Sequence, residues 1–342
     1  MKLIRTEDAV GHVLCHDMTR IVKGVAKGPA FRKGHIVAPE DIPLLLSMGK
    51  ETLYVWEKEP GMLHEDEAAE ILYRICAGDA ENLRPSEVKE GKIEVLAGED
   101  GLLLVDIPRL KAVNSLGELM IATRHSHLPV QKGDKLAGTR IIPLVIRAEQ
   151  LDRARSAAGE APLLALKPFR PRKAAIVTTG SEVQKGLITD TFTPVLEEKL
   201  GAYGCQVLGH TCPGDDPAAI TAAILDYKAR GAELILCSGG MSVDPDDKTP
   251  LAIRNTGAAV VSYGSPVLPG AMLMVAYLDG VPVAGLPGCV MYARRTVFDL
   301  VLPLFLADVP VTAEDLAAMG HGGLCLNCES CTWPNCGFGK GW

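Results

Sequence analysis

From Lys173 onward, short apolar runs alternate with segments of helical spacing. KAAIVTTG, CQVLGHTC, ELILCSGG, AAVVSYG, MLMVAYL and VPVAGLPG read as strands rich in Val, Ile, Leu and Ala. Between them, Asp190–Tyr203 reads as a helix followed by Gly204, and Asp216 caps a helix that has Pro217 at its first position and ends at Gly231. Thr249–Asn255 is helical, and Val290–Leu306 is expected to be the last helix. Strand–helix alternation with apolar strands predicts a three-layer α/β/α sandwich on a mainly parallel sheet over 173–308. In such sheets ligands bind at the carboxyl ends of the strands.

The preceding 165 residues have a different rhythm. Residues 1–60 read as a β-rich segment: turn glycines at Gly28 and Gly34, a short helix Ile42–Met48 opened by Pro39-Glu40-Asp41 and closed by Gly49, and a strand at TLYVW. Residues 61–165 read as a smaller mixed α+β domain. In HEDEAAEILYRICAG, Ala68, Ile71, Leu72, Ile75 and Cys76 recur at helical spacing, with acids at the start and Gly78 as the stop. A strand at Leu102–Asp106, a short helix capped by Asn114, strands around Lys132-Gly133-Asp134 and a helical arm over Gln150–Gly159 follow. Leu166–Arg172, with two prolines, is expected to be a linker, and 309–342 a Cys-rich tail.

Composition narrows the possibilities. The chain has 342 residues, 47% hydrophobic and 23% charged, which fits two or three globular domains and excludes disorder. A net charge of −7 argues against a nucleic-acid footprint. The most apolar stretch, Cys289–Leu306, carries Arg294, Arg295 and Asp299, so it is expected to be a buried helix and not a membrane span. Glu7 and Asp8 stand where a signal peptide would need apolar residues, and a cytoplasmic location is expected. Six scattered cysteines (Cys15, Cys76, Cys205, Cys212, Cys237, Cys289) then read as small buried hydrophobes.

Three loops on the strand ends share one logic. Thr179-Gly180-Ser181-Glu182 follows the first strand, Ser238-Gly239-Gly240-Met241-Ser242 the third, and Gly285-Leu286-Pro287-Gly288 precedes the last helix. Glycines let backbone amides approach an anion, so three such loops on one sheet edge suggest a phosphate-bearing ligand, although any one of them alone is only a turn. Acids fall in the same loops: Asp190, and then Asp244, Asp246 and Asp247 beside Lys248. Asp190 also reads as a plain helix cap, and the Asp244–Asp247 run as a solvated turn. The functional reading places Mg²⁺ between the carboxylates and phosphate oxygens.

The ordered set TTGSE, GLITDTFTP, SGGMSVDPDDKTP, VLPGAM and GLPG, over roughly Lys173–Pro303, resembles the molybdopterin-binding domain family of molybdenum-cofactor biosynthesis. The family's two aspartates, one in a D-x-x-x-P segment and one after the Gly-Gly loop, match Asp190 (with Pro194) and Asp247. Ser242 and Gly-Leu-Pro-Gly are similar to the molybdotransferase branch, as is the N-terminal AVGHVLCHDM. The Asp190 and Asp247 segments look closer to the adenylyltransferase branch. The chain departs from the molybdotransferase in lacking a Ser-Ala-Met-Asp-Gly-type stretch between Pro29 and Pro60. A full C-terminal barrel after Pro303 is not expected, and Asp244 stands where the family often has Gly. The resemblance implies a transferase acting on molybdopterin or its adenylylated form, with Mg²⁺ on Asp190 and Asp247. Ser181, Gly239, Gly240 and Ser242 would cradle phosphate, Glu182 would position the pterin or a water, and Thr179, Gly180, Asp244, Lys248, Pro287 and Gly288 would complete the cofactor-binding set. Alternatives are a non-catalytic molybdopterin carrier or sensor, and a nucleotide-phosphate hydrolase of the competence-damage-inducible type. Homo-oligomers are usual in these families.

The tail adds separate chemistry. Cys325, Cys328, Cys331 and Cys336 form a C-x2-C-x2-C-x4-C run with His321 upstream. Four thiols in so short a stretch of a cytosolic chain fit tetrahedral ligation of Zn²⁺ or an iron–sulfur cluster. The run is close to the bacterial ferredoxin spacing, but has a longer last gap and a proline before, not after, the last cysteine. Such a tail would suit redox sensing or docking to a molybdoenzyme or cofactor-assembly partner. Three weaker candidates remain. His125 and His127 read as a surface loop or a partial metal site. Lys167, Arg170, Arg172 and Lys173 read as a linker flank or an anion-steering rim. Arg294 and Arg295 read as phosphate partners or as partners of nearby carboxylates.

Overall fold

The computed structural model describes residues 2–22, 26–55, 60–242 and 247–341. The chain divides into two compact units. The first is Met1–Gly98, Val105–Arg124 and Lys132–Ala165; the second is Glu99–Leu104, His125–Gln131 and Leu166–Trp342.

In the first unit, Lys2–Arg5 pairs antiparallel with Thr52–Val55, and Met18–Val22 with Ala26–Phe31. These strands and the helix Ile42–Ser47 surround a small core of Ala9, Leu14, Met18, Phe31, Val37, Leu45 and Leu53. Beyond it lies a four-stranded antiparallel sheet in the order Leu83–Pro85, Lys92–Ala97, Lys135–Ile141, Leu119–Thr123. The helix expected after His64 runs over Glu65–Ala77. His64 caps it, and its buried stripe (Ala68, Ala69, Leu72, Ile75, Cys76) is close to the one read from the spacing. The short helix Ile107–Asn114 ends at Asn114, whose side-chain amide holds both backbone groups of Ile121.

The second unit is an α/β fold on a mixed six-stranded sheet. Its strands are β1 (Lys173–Thr178), β2 (Gln206–Thr211), β3 (Leu234–Ser238), β4 (Ala259–Tyr263), β5 (Met274–Leu278) and β6 (Val281–Leu286). Their order is β2-β1-β3-β6-β5-β4. The first four are parallel neighbours, while β5 runs antiparallel to both of its neighbours, β6 and β4. The helices are α1 (Ser181–Gln184), α2 (Phe192–Gly201), α3 (Pro217–Ala229), α4 (Thr249–Asn255), α5 (Val297–Leu306) and α6 (Ala313–Ala318).

Every residue of β3 is buried, as expected of a parallel strand covered on both faces. Successive residues divide between two cores. Ala174, Ile176, Leu234 and Leu236 pack with Leu196 and Leu200 of α2 and Phe298 and Val301 of α5. Ala175, Val177, Ile235 and Cys237 pack with Ile220 and Ile224 of α3 and Ala252 and Ile253 of α4. Cys76 and Cys237 behave as buried hydrophobes, and burial pushes both thiols up to about 12.

Three local expectations are corrected. Leu166–Pro168 is not linker: it continues the strand Leu164–Pro168. The helix read over Val290–Leu306 is broken. A 3₁₀ turn spans Gly288–Met291, and α5 starts only after Thr296. There Thr296 Oγ1 accepts the Phe298 amide, and Asp299 accepts the Thr296 amide, a reciprocal cap that fixes the start within the apolar run. Nor is it the last helix, because α6 follows, capped by Thr312 and Asp315. Among the described residues, no helix is long and apolar enough to cross a membrane.

All ten residues of α5 are buried, and Phe298 is fully so. Phe298→Ala is expected to cost about 3–5 kcal/mol through transfer and cavity terms. Guanidinium titration checks this, with a lower midpoint and an unchanged slope.

Candidate functional site

The loops after β1 and β3 meet at the carboxyl edge of the sheet. Gly239 and Gly240 take left-handed conformations (φ 83° and 53°) that let the chain turn back over β1. A Cβ on Gly239 would strike the Thr179 carbonyl oxygen, and one on Gly240 would lie 3.0 Å from Thr249 Oγ1 and 3.1 Å from Thr179 Oγ1. Glycine is required there by close approach as well as by φ. The Thr179 amide donates to the Ser238 carbonyl at 2.7 Å. Thr249 Oγ1 donates to the Gly239 carbonyl (2.8 Å) and lies 3.1 Å from Thr179 Oγ1. Thr178, Thr179, Ser238 and Thr249 are all buried.

A second set of hydroxyls leads to Asp190. Ser238 Oγ donates to Thr178 Oγ1 (3.2 Å), which lies 3.3 Å from Thr193 Oγ1 and 3.1 Å from His210 Nε2. Thr193 Oγ1 donates to Asp190 Oδ2 at 2.5 Å. One hydroxyl has one proton to give, so these valences set the directions. Thr193 spends its proton on the carboxylate and must accept from Thr178, and Thr178 therefore accepts from Ser238 and from a protonated His210 Nε2. The chain of donors ends on Asp190, whose Oδ1 takes the amides of Phe192 and Thr193 and whose Oδ2 also lies 3.2 Å from His210 Nε2. Burial alone would raise the Asp190 pKa, but the Thr193 hydroxyl, the two amides and His210 outweigh it and hold it below the usual carboxylate range. Asp190 is thus a working cap of α2.

Asp247 sits in the β3–α4 loop and accepts the Ser242 amide at Oδ2 (2.6 Å). Tyr263 braces the same loop: its hydroxyl, with one proton to share between them, lies 3.2 Å from the Met241 carbonyl and 3.1 Å from the Ser242 carbonyl. Burial, and then the Asp247 charge, raises the tyrosine's pKa. Lys248 precedes α4, and Asp244 and Asp246 lie outside the described residues. On the β1 side the Ser181 amide, expected to face phosphate, meets Asp215 Oδ2 at 2.7 Å. Gly180 precedes α1, and the exposed Glu182 carries the Leu187 and Ile188 amides on its carbonyl. Pro287 and Gly288 leave β6, whose Leu286 is in register with Ser238.

The structure therefore brings Thr179, Gly239, Gly240, Ser242, Asp247 and Lys248 to one edge, with Asp190 on the adjacent loop. His210, Thr193, Thr178 and Asp215 were not singled out in the sequence; only the strand-end position of His210 in CQVLGHTC hinted at a role. Other candidates fall elsewhere. Arg170 and Arg172 pair with Asp308, and Arg172 and Lys173 stand at the amino end of β1, so they do not rim this edge. Arg295 pairs with Asp299 (2.8 Å), and Arg294 donates to the Glu329 carbonyl (2.6 Å), in place of phosphate. His125 and His127 lie in a turn, His127 with φ 58°, and do not share a strand face. Among the described residues, no three His, Cys, Asp or Glu side chains are gathered to hold a metal ion, and this includes the tail cysteines.

Residues 175–307, which contain this edge, match a family described as a probable molybdopterin binding domain. The loops of this edge thus lie in a stretch similar to that family's domain. Residues 3–57 match a domain of unknown function (DUF8806).

A CinA-like protein of Desulfosudis oleivorans is 41% identical over 80 residues, which is 23% of this chain and 19% of that one. A molybdenum cofactor biosynthesis bifunctional protein of Synechococcus elongatus is 35% identical over 88 residues (26% and 28%). A molybdopterin molybdenumtransferase of the same organism is 26% identical over 147 residues (41% and 34%). The chain thus spans about a fifth to a third of these relatives' length. Among solved structures, CinA of Thermoplasma acidophilum aligns at 18% identity and a TM-score of 0.35, over 40% of this chain and 98% of that one. The Mog protein of Mycobacterium ulcerans aligns at 20% and 0.33, over 41% and 99%.

Asp190→Ala is expected to cost about 0.5–2 kcal/mol near pH 7, the worth of a side-chain cap. A depressed folded pKa stabilises above the unfolded pKa, and that contribution is lost as pH falls through the folded value. The difference between variant and wild-type denaturant midpoints should therefore be full at neutral pH and shrink below the ordinary aspartate range.

Proposed function

We propose that the second unit is a three-layer α/β/α domain that binds molybdopterin, a pterin phosphate, at the carboxyl edge of β1, β3 and β6 during molybdenum-cofactor biosynthesis. The observation that carries this reading is the buried hydroxyl set joining the two glycine loops within the stretch that matches the family. It holds the Gly239–Ser242 backbone in one shape, so its amides are fixed before an anion arrives and little ordering entropy is lost on binding. Thr179–Glu182 forms the facing loop, and a phosphate there would compete with Asp215 for the Ser181 amide. Lys248 and the turn at Pro287-Gly288 complete the edge.

Magnesium fits Asp247 better than Asp190. Both oxygens of Asp190 already accept protein donors, whereas Asp247 accepts the Ser242 amide at Oδ2 and, among the described residues, no donor at Oδ1. One carboxylate plus phosphate oxygens and water is an ordinary magnesium environment. Bound there, the ion would offset charge on the phosphate as bonds at phosphorus change. Asp190 acts one step back, by fixing the start of α2 and the His210 ring. On this reading the chain works in the cytoplasm as a homo-oligomer and serves a molybdoenzyme or cofactor-assembly protein.

Two observations favour other readings. Capture of Asp190 as a cap suits a carrier without turnover. The CinA-like match suits a nucleotide-phosphate hydrolase of the competence-damage type.

Mass spectrometry of co-purified ligand, followed by turnover assays with molybdopterin, ATP, Mg²⁺ and molybdate, separates these readings. The expected result is a bound pterin phosphate and Mg²⁺-dependent turnover that falls about 100-fold or more in Asp247→Asn, with the circular dichroism unchanged. Full activity in that variant would overturn the metal role. Tight pterin binding without turnover selects the carrier, and hydrolysis of nucleotides alone selects the CinA-like reading.

A further inference from the structure

The residues from 321 to 341 contain no helix or strand beyond a single bridge between Leu324 and Leu268, yet the segment is pinned at both ends. The Gly339 amide donates to the Gly322 carbonyl at 3.0 Å, and Phe338 is buried in the core of the second unit. Between these pins the loop carries Cys325, Cys328, Cys331 and Cys336. All four line one cavity of about 660 Å³, together with Arg294, Arg295 and Trp333.

Cys325 and Cys336 pack partly against the core, but core packing does not explain Cys328 and Cys331, which are exposed. Ordering such a loop costs conformational entropy that few internal hydrogen bonds offset. The surroundings favour negative charge. Arg295 and Lys199 share Asp299 at 2.8 and 2.6 Å, so the three groups together are left with one positive charge, and the Cys331 thiol contacts Arg295. Arg294 clamps the loop at the Glu329 carbonyl, between Cys328 and Cys331. Two buried donors in the cavity wall, Arg295 Nε and Trp333 Nε1, have no acceptor among the described residues. Thiolate sulfur is an acceptor.

We propose that the four cysteines form a tetrathiolate centre for a thiophilic metal, a Zn²⁺ ion or an iron–sulfur cluster. No three of these thiols are gathered about one point in the structure, so on this proposal the loop draws them together on loading while its two ends stay pinned, as a metal site does when it completes its fold on binding. With zinc, four S–H bonds break and four S–Zn bonds form, up to four protons pass to water, and no electron moves. The centre then carries two negative charges, next to Arg294 and Arg295.

The test is made on the full chain, purified anaerobically, by elemental analysis and acid-labile sulfide. About one zinc per chain without sulfide, or about four irons with equal sulfide, is expected and distinguishes the two forms. Co²⁺ added to metal-free protein should give thiolate-to-cobalt absorption. Both signals should be lost in Cys328→Ser/Cys331→Ser and kept in Cys212→Ser, with circular dichroism as the folding control. The proposal falls if Cys325, Cys328, Cys331 and Cys336 all titrate freely in the native chain and neither cobalt nor iron with sulfide is taken up. It also falls if the tail thiols are recovered as disulfides.

Discussion

The candidate site depends on one constraint: the hydroxyls at the carboxyl ends of β1 and β3 are buried and must find partners. An unmet buried hydroxyl costs about 1–3 kcal/mol, a large share of a domain's stability. Thr178, Thr179, Ser238 and Thr249 therefore pair with one another and with adjacent backbone, and that pairing fixes where both glycine loops run. The loops owe their shape to the sheet beneath them, not to a ligand. Because β1 and β3 are parallel neighbours, two loops far apart in sequence end on the same edge and share one network.

The same network separates the two acids that the sequence makes look equivalent. Asp190 lies at the end of a chain of donors and is ionised to cap a helix and hold His210. Asp247 lies on a turn, held by one amide beside Tyr263. A carboxylate whose lone pairs are spent on protein donors has little left for a cation, so position in the network, more than residue type, decides which acid is available for chemistry.

Much of the second unit was legible because parallel strands leave long apolar runs and its loops leave glycines. KAAIVTTG and ELILCSGG need no tertiary information to be read as strands ending in turns. Thr249–Asn255 begins and ends where read, because Pro250 at the first turn and Gly257 just beyond the end are local signals. The break before α5 was missed although its signal is local, a cap between Thr296 and Asp299 inside an otherwise apolar run. The other misses depended on partners distant in sequence. Asp215 meets Ser181 across 34 positions, and His210 meets Thr178 across 32. No periodicity encodes these contacts. The reversed direction of β5 was hidden as well, because a buried strand reads alike in either direction. Arg294 and Arg295 were ambiguous in sequence between phosphate and carboxylate, and geometry assigns them to Asp299 and to the tail backbone.

That assignment links the tail to the domain. Asp299 closes the cap of α5, and it also anchors Lys199 of α2 and Arg295, which stacks 4.5 Å from the Trp333 ring. One buried carboxylate thus ties two helices to a loop that has almost no secondary structure of its own. Removing it would leave two cations in a poorly solvated place with no counter-charge, a heavier cost than the loss of a single hydrogen bond. The cysteine loop is therefore not a loose appendage. Its aromatic anchor rests on a cation whose own partner is set deep in the α/β fold.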